Sequence, residues 1–189
     1  AGLGEMGKAG RGGTLNVSGA FAGNLGTFDN SAGTLNAGSL DIATSGDFVN
    51  TDGVLTSATD AKLTVGGSAN NVRGNVSAMG ALAANVTGAI DNTAGTLAAN
   101  QALTLAGQSL NNSQGAVQSA GGNVQLTIGQ QLLNTDGHIA SGANLTIRTG
   151  SLDGTKGSLQ STGDLDVKAA QGLTSTGANP AGGGLALQG

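Results

Sequence analysis

Glycine followed two positions later by an aliphatic residue recurs along this chain: Gly13-Thr-Leu, Gly33-Thr-Leu, Gly53-Val-Leu, Gly74-Asn-Val, Gly95-Thr-Leu, Gly115-Ala-Val, Gly137-His-Ile and Gly157-Ser-Leu. Gly177 is a last anchor that lacks the aliphatic. Successive anchors lie 20, 20, 21, 21, 20, 22, 20 and 20 residues apart. A second signature falls mid-repeat, an aliphatic-x-aliphatic triplet: Leu40-Asp41-Ile42, Leu63-Thr64-Val65, Ala84-Asn85-Val86, Leu103-Thr104-Leu105, Leu126-Thr127-Ile128, Leu145-Thr146-Ile147 and Leu165-Asp166-Val167. Alternation with period two over so few residues predicts a short strand with one buried face. The polar middle residues then form one outward stripe, which strand propensity alone explains.

A third signature lies five residues before the next anchor, where Phe28, Phe48, Ala69, Ile90, Leu110, Leu132 and Leu152 share a column. Two residues further on come Asn30, Asn50, Asn71, Asn92, Asn112 and Asn134, a series that Gly154 breaks. Each repeat therefore reads as three short strands, three turns and three inward apolar stations. Anchor-to-triplet distances are largest in the repeats opened by Gly53, Gly74 and Gly115, which places the variable turn between the first and second strands, over 56–62, 77–83 and 118–125.

Such a unit cannot bury its apolar stations alone, and stacking copies of it does. The fold class is all-β: a parallel β-helix of about 20–22 residues per coil. Eight full coils and an irregular partial one would span about 40 Å at the usual strand spacing. Glycine at the anchors allows either a positive φ or close backbone approach at the corners. The stacked asparagines can donate and accept along the rod axis as a ladder.

Composition narrows the function. Gly contributes 36 residues, aromatics 2% and charged residues 10%, with no Cys and one His. The seven cations (Lys8, Arg11, Lys62, Arg73, Arg148, Lys156, Lys168) are scattered over a chain of net charge −4, so no nucleic-acid footprint forms. Disulfides, cysteine metal sites and His clusters are excluded, no apolar run reaches membrane-spanning length, and no cofactor is expected. His138 sits at an outward strand position. Residues 2–8 fit both G-x-G-x-x-G and G-x-x-x-x-G-K, but Ala9 stands where the latter needs Ser or Thr and no strand precedes either. Residues 1–12 read as a flexible lead-in or expression remnant, and 13–189 as the rod, cut from a longer protein. Asn-x-Ser/Thr sequons at Asn16, Asn75, Asn85, Asn111 and Asn144 follow from Asn and Thr richness.

The G-x-L opening, the L-T-V-like triplet and the L/F-x-N-T-x-G corner, as in Phe48-Val-Asn-Thr-Asp-Gly53 and Leu132-Leu-Asn-Thr-Asp-Gly137, resemble the filamentous haemagglutinin-type repeats of bacterial two-partner-secreted exoproteins. The resemblance covers roughly residues 13 to 177. It implies a right-handed β-helix at the surface of a Gram-negative cell, exported through an outer-membrane transporter and facing a host or neighbouring cell. Members include adhesins and the stalks of contact-dependent growth-inhibition toxins. In both, such repeats form a non-catalytic shaft whose partners are the flanking coils.

A different class, polysaccharide-degrading β-helical enzymes, needs paired acids or a carboxylate-held calcium with a basic residue beside it. Asp164 with Asp166, and Asp41 with Asp47, are the nearest approach, with no Arg or Lys expected beside them. The last coil departs from the pattern at Asn179 and Pro180 before Leu185-Ala-Leu187 restores the triplet. Neither end is capped, so end-to-end association is expected.

Overall fold

The computed structural model describes residues 12–189, and its regular elements are all β-strands. The lead-in and its nucleotide-like motifs, apart from Gly12, lie outside the described residues. The Gly53 coil is the clearest unit, with strands Val54–Ser57, Ala61–Val65 and Ala69–Asn70. Each pairs in parallel with its counterpart one coil away, and repetition builds a β-solenoid of about 8 turns. The Gly74 and Gly95 coils are built the same way, and in the other five two of the three strands fuse. Thr14–Leu25 and Thr34–Thr44 join the first and second, whereas Val124–Leu133, Leu145–Gly154 and Leu165–Ser175 join the second and third.

The first-strand column follows the anchors. Leu35, Leu55, Val76, Leu97, Val117, Ile139 and Leu159 stack in register, all buried. The third-strand column also pairs as the five-residue spacing requires, from Phe28 through Leu152 and on to Leu173. Phe28 and Phe48 stack with centroids 5.2 Å apart and planes 9° from parallel. Their bulk does fit the lumen, and the next residue in the column, Ala69, is small.

The second strand corrects the sequence reading. It carries three inward columns rather than two. The first comprises Leu40, Ala61, Leu82, Leu103, Val124, Leu145 and Leu165; the next, Ile42, Leu63, Ala84, Leu105, Leu126, Ile147 and Val167; the last, Thr44, Val65, Val86, Gly107, Ile128, Thr149 and Ala169. The triplets of the Gly53, Gly74 and Gly115 coils are therefore two residues out of step with the others. Leu63 pairs with Ile42 and not with Leu40. Ala61, Leu82 and Val124, all buried, are the core residues that the triplet pattern passes over.

The outward stripe consequently splits in two. One column runs Asp41, Lys62, Ala83, Thr104, Gln125, Thr146 and Asp166, the other Ala43, Thr64, Asn85, Ala106, Thr127, Arg148 and Lys168. The variable turn moves as well. The second strand's first inward residue falls eight positions after the anchor in most coils, as Ala61 does after Gly53 and Leu103 after Gly95. The extra residue of the Gly53 and Gly74 coils lies instead between the second and third strands. Only the Gly115 coil lengthens its first connection, to Val124. Stretches 56–62, 77–83 and 118–125 are thus short corners flanked by strand, not long loops.

Candidate functional site: the asparagine–glycine corner

The most repeated arrangement of side chains is the corner between the third strand and the next anchor. Six asparagines occupy it, and Asn50, Asn92, Asn112 and Asn134 are fully buried. A buried amide must be paired or it costs roughly 1–3 kcal/mol. These are paired three ways. Asn92 Nδ2 donates to its own Gly95 carbonyl at 3.2 Å, to Asn112 Oδ1 in the next coil at 2.7 Å and to the Ala116 carbonyl at 3.1 Å. Two amide protons serve three acceptors, so one is shared. Asn30, Asn50, Asn71 and Asn112 repeat the pattern, with amide-to-amide steps of 2.7–2.8 Å. Asn134 donates to Gly137 and to the Ser158 carbonyl, and there the series ends at Gly154.

The same four residues close a turn. From Gly33 to Gly157 each anchor N–H donates to the carbonyl three residues earlier, as from Gly95 to Asn92 at 3.0 Å, the acceptor being Asn in every case but Gly154. The third turn residue takes a positive φ, the geometry of a type II turn. It is never the anchor. Ala32, Asp52, Arg73, Ala94, Gln114, Asp136 and Lys156, each just before its anchor, have φ between 52° and 57°. The anchors need glycine for the other reason, close approach. A Cβ on Gly95 would lie under 3.0 Å from the Asn71 carbonyl oxygen of the coil below and 2.7 Å from Asn92 Oδ1. Gly53, Gly74, Gly115, Gly137 and Gly157 are crowded in the same way by the asparagine one coil below. Gly33 is crowded by its own Asn30, and Gly13 is exposed in the first described coil.

Three further devices escaped the sequence reading. The residue before the ladder position is Asp29, Asn70, Asp91, Asn111 or Asp153, and its Oδ1 accepts the backbone N–H two residues on. The signal was present as Asp/Asn preceding the ladder residue, with Ser or Thr two positions later in four of the five turns. At the first corner, Ser57, Ser119, Ser141 and Ser161 fill an inward column with Ala37, Ala78 and Ala99. Their hydroxyls bond corner carbonyls, as Ser57 does to Asp60 at 2.7 Å. Outside the corner, Asp60, Asn123, Asn144 and Asp164 each accept a backbone N–H from the next coil through Oδ1.

Cations do accompany the acids, contrary to the sequence expectation, though as single cross-coil pairs. Arg73 grips Asp52 with two bonds of 2.7 Å, Lys62 lies 3.8 Å from Asp41, and Arg148 contacts Asp166. The Arg73 hydrogen bond, aided by its charge, holds the Asp52 carboxyl below its ordinary range against slight desolvation. Asp153 is likewise lowered, first by the Thr155 hydroxyl and then by the Thr155 N–H. A depressed folded pKa stabilises fully above the unfolded carboxylate pKa, and the contribution is lost as pH falls through the folded value. Asp153→Asn keeps the acceptor, as Asn111 does in its own coil. The variant is expected to unfold with a shallower acid limb and a slightly lower stability at neutral pH, read from urea midpoints between pH 2 and about 7.

His138 faces outward, with Nδ1 2.5 Å from Ser158 Oγ of the next coil, so it is half-buried and paired rather than freely solvated. Asp164 and Asp166 are engaged separately, by the Gly184 N–H and by Arg148. Among the described residues no group of three His, Cys, Asp or Glu could hold a metal ion, and no helix is long and apolar enough to cross a membrane.

What recurs from coil to coil is a device for stacking, and it defines a structural repeat protein of the β-solenoid class. The haemagglutinin repeat family model matches residues 2–67, 52–135 and 119–189, and the chain belongs to that family. No curated protein and no solved structure gives a match.

Proposed function

We propose that the chain is a non-catalytic length of shaft in a large secreted filament of the adhesin type. By this reading it is displayed at the surface of a Gram-negative cell after export through an outer-membrane transporter partner. The observation that carries it is the use made of the side chains. Inward residues fill the lumen, corner amides bond the next coil, and the outward charges are largely spent on neighbouring coils. Little recognition chemistry is left over, and the variable turns read from sequence over 56–62, 77–83 and 118–125 are short corners. Membership of the haemagglutinin repeat family supports the filament, and freedom from cysteine suits a chain that crosses a pore unfolded. The rod would extend over residues 13–189 with coils of the same kind as its neighbours.

The test is binding by the intact chain. Immobilised on a glycan array and presented to host cells, it is expected to show no saturable, competable binding. Saturable binding to one glycan or one cell type would replace the shaft with an adhesive site.

A further inference from the structure

The joint above the Gly157 coil differs from those below it on one face. Between the Gly137 and Gly157 coils the first strands pair over four residues, His138 with Ser158 through Ser141 with Ser161. The joints below it, back to the Gly33 coil, do the same. Above it the match shrinks to one bridge, Ser161 with Ala181, held by bonds of 3.1 Å from the Ser161 N–H to the Pro180 carbonyl and from the Gly182 N–H to the Ser161 carbonyl, beside a stretched bond of 3.3 Å from the Leu159 N–H to the Ala178 carbonyl.

Local chemistry accounts for the loss. Asn179 stands two residues after its anchor, where the coils below place Leu, Val or Ile. Its Nδ2 turns aside to Ser175 Oγ at 2.7 Å and the Gly177 carbonyl, leaving Oδ1 buried without a donor. Such an acceptor opposes docking of that strand. Pro180 follows where Gln160 sits below, and it has no N–H to give the ladder. Gly154 has also removed the amide that would have stapled this coil to the next.

The second-strand face shares none of this. Leu165, Asp166, Val167 and Lys168 pair in full register with Leu185, Ala186, Leu187 and Gln188, and the Leu165 N–H bonds the Gly184 carbonyl at 2.8 Å.

We infer that residues 177–181 form a hinged flap. Their first-strand segment opens locally, while pairing through Leu185–Gln188 stays closed and acts as the pivot. The open form bares the edge of Ser158–Ser161, a four-residue strand able to accept another in parallel.

Native-state hydrogen exchange on the full chain tests this residue by residue. The Leu159 and Ser161 amides are expected to exchange at least about 100-fold faster than those of Ile139 and Leu165. The double variant Asn179→Leu/Pro180→Gln, which restores the residue types of the coil below, is expected to slow Leu159 at least about tenfold and leave Leu165 unchanged. Protection of Leu159 equal to that of Ile139 would overturn the inference. So would one common rate for Leu159 and Leu165, which describes fraying of the whole coil, or a Leu159 rate that the double variant does not alter.

Discussion

Gly95→Ala is expected to cost the rod about 3 kcal/mol or more, while Ala94→Gly, one residue earlier, leaves stability within about 1 kcal/mol of the parent. The added methyl of the first variant has nowhere to go. It would overlap the Asn71 carbonyl of the coil below and crowd Asn92 Oδ1, both of them fixed by the ladder. Separating the coils there would stretch the bonds on either side, since Thr96 N–H reaches back to Gly74 and Gly95 offers its carbonyl to Ala116 N–H, each at 2.8 Å. Ala94 carries the positive φ, at 53°. Glycine there relieves about 1–2 kcal/mol of left-handed strain and gives back about half of that or more in unfolded-state entropy. Chemical denaturation of the two variants checks the pair. A tolerated Gly95→Ala would mean that close approach is not what holds these anchors to glycine.

Asn92→Leu is expected to lower stability by about 2–3 kcal/mol although the two side chains share a branched shape. The loss falls on neighbours. Asn112 Oδ1 is buried and loses the N–H that reaches it, and Asn71 Nδ2 loses its 2.7 Å acceptor. The converse change extends the ladder. Gly154 has no positive φ, and a Cβ there meets the Thr174 carbonyl at 3.2 Å, a contact that a shift of a few tenths of an ångström relieves. Gly154→Asn is expected to raise the melting temperature, with a gain of about 1 kcal/mol, by giving Asn134 Nδ2 a further acceptor. An unchanged midpoint in Asn92→Leu would reduce the ladder to a by-product of composition.

How far each of these features was legible in the sequence depends on how rigidly the chain counts residues. The corner from third strand to anchor is a closed turn of fixed length, so Phe48, Asn50 and Gly53 keep their offsets in nearly every coil and could be read directly. The second strand offers three inward positions in a row, and any two adjacent ones form an aliphatic-x-aliphatic triplet. Where the first or third position holds a small residue, as at Ala61 and Gly107, the pattern slides by two without visible penalty. Only backbone pairing, Ala61 against Leu40 and Leu82, fixes it. The left-handed residues were hidden for a different reason. Ala94, Arg73, Asp136 and Lys156 share a backbone conformation and no side-chain chemistry, and the glycine beside each drew attention to itself. Cross-coil pairs such as Arg73 with Asp52 became visible only once those residues were known to share a column.

Short-range nuclear Overhauser contacts between backbone protons of neighbouring coils test the stacked rod most directly. Backbone protons of Leu105 are expected to contact those of Leu126, and those of Leu126 to contact Ile147, as parallel pairing at about 4.8 Å demands. Contacts joining Leu103 to Leu126, or no contacts between residues some twenty apart, would contradict the register and with it the rod.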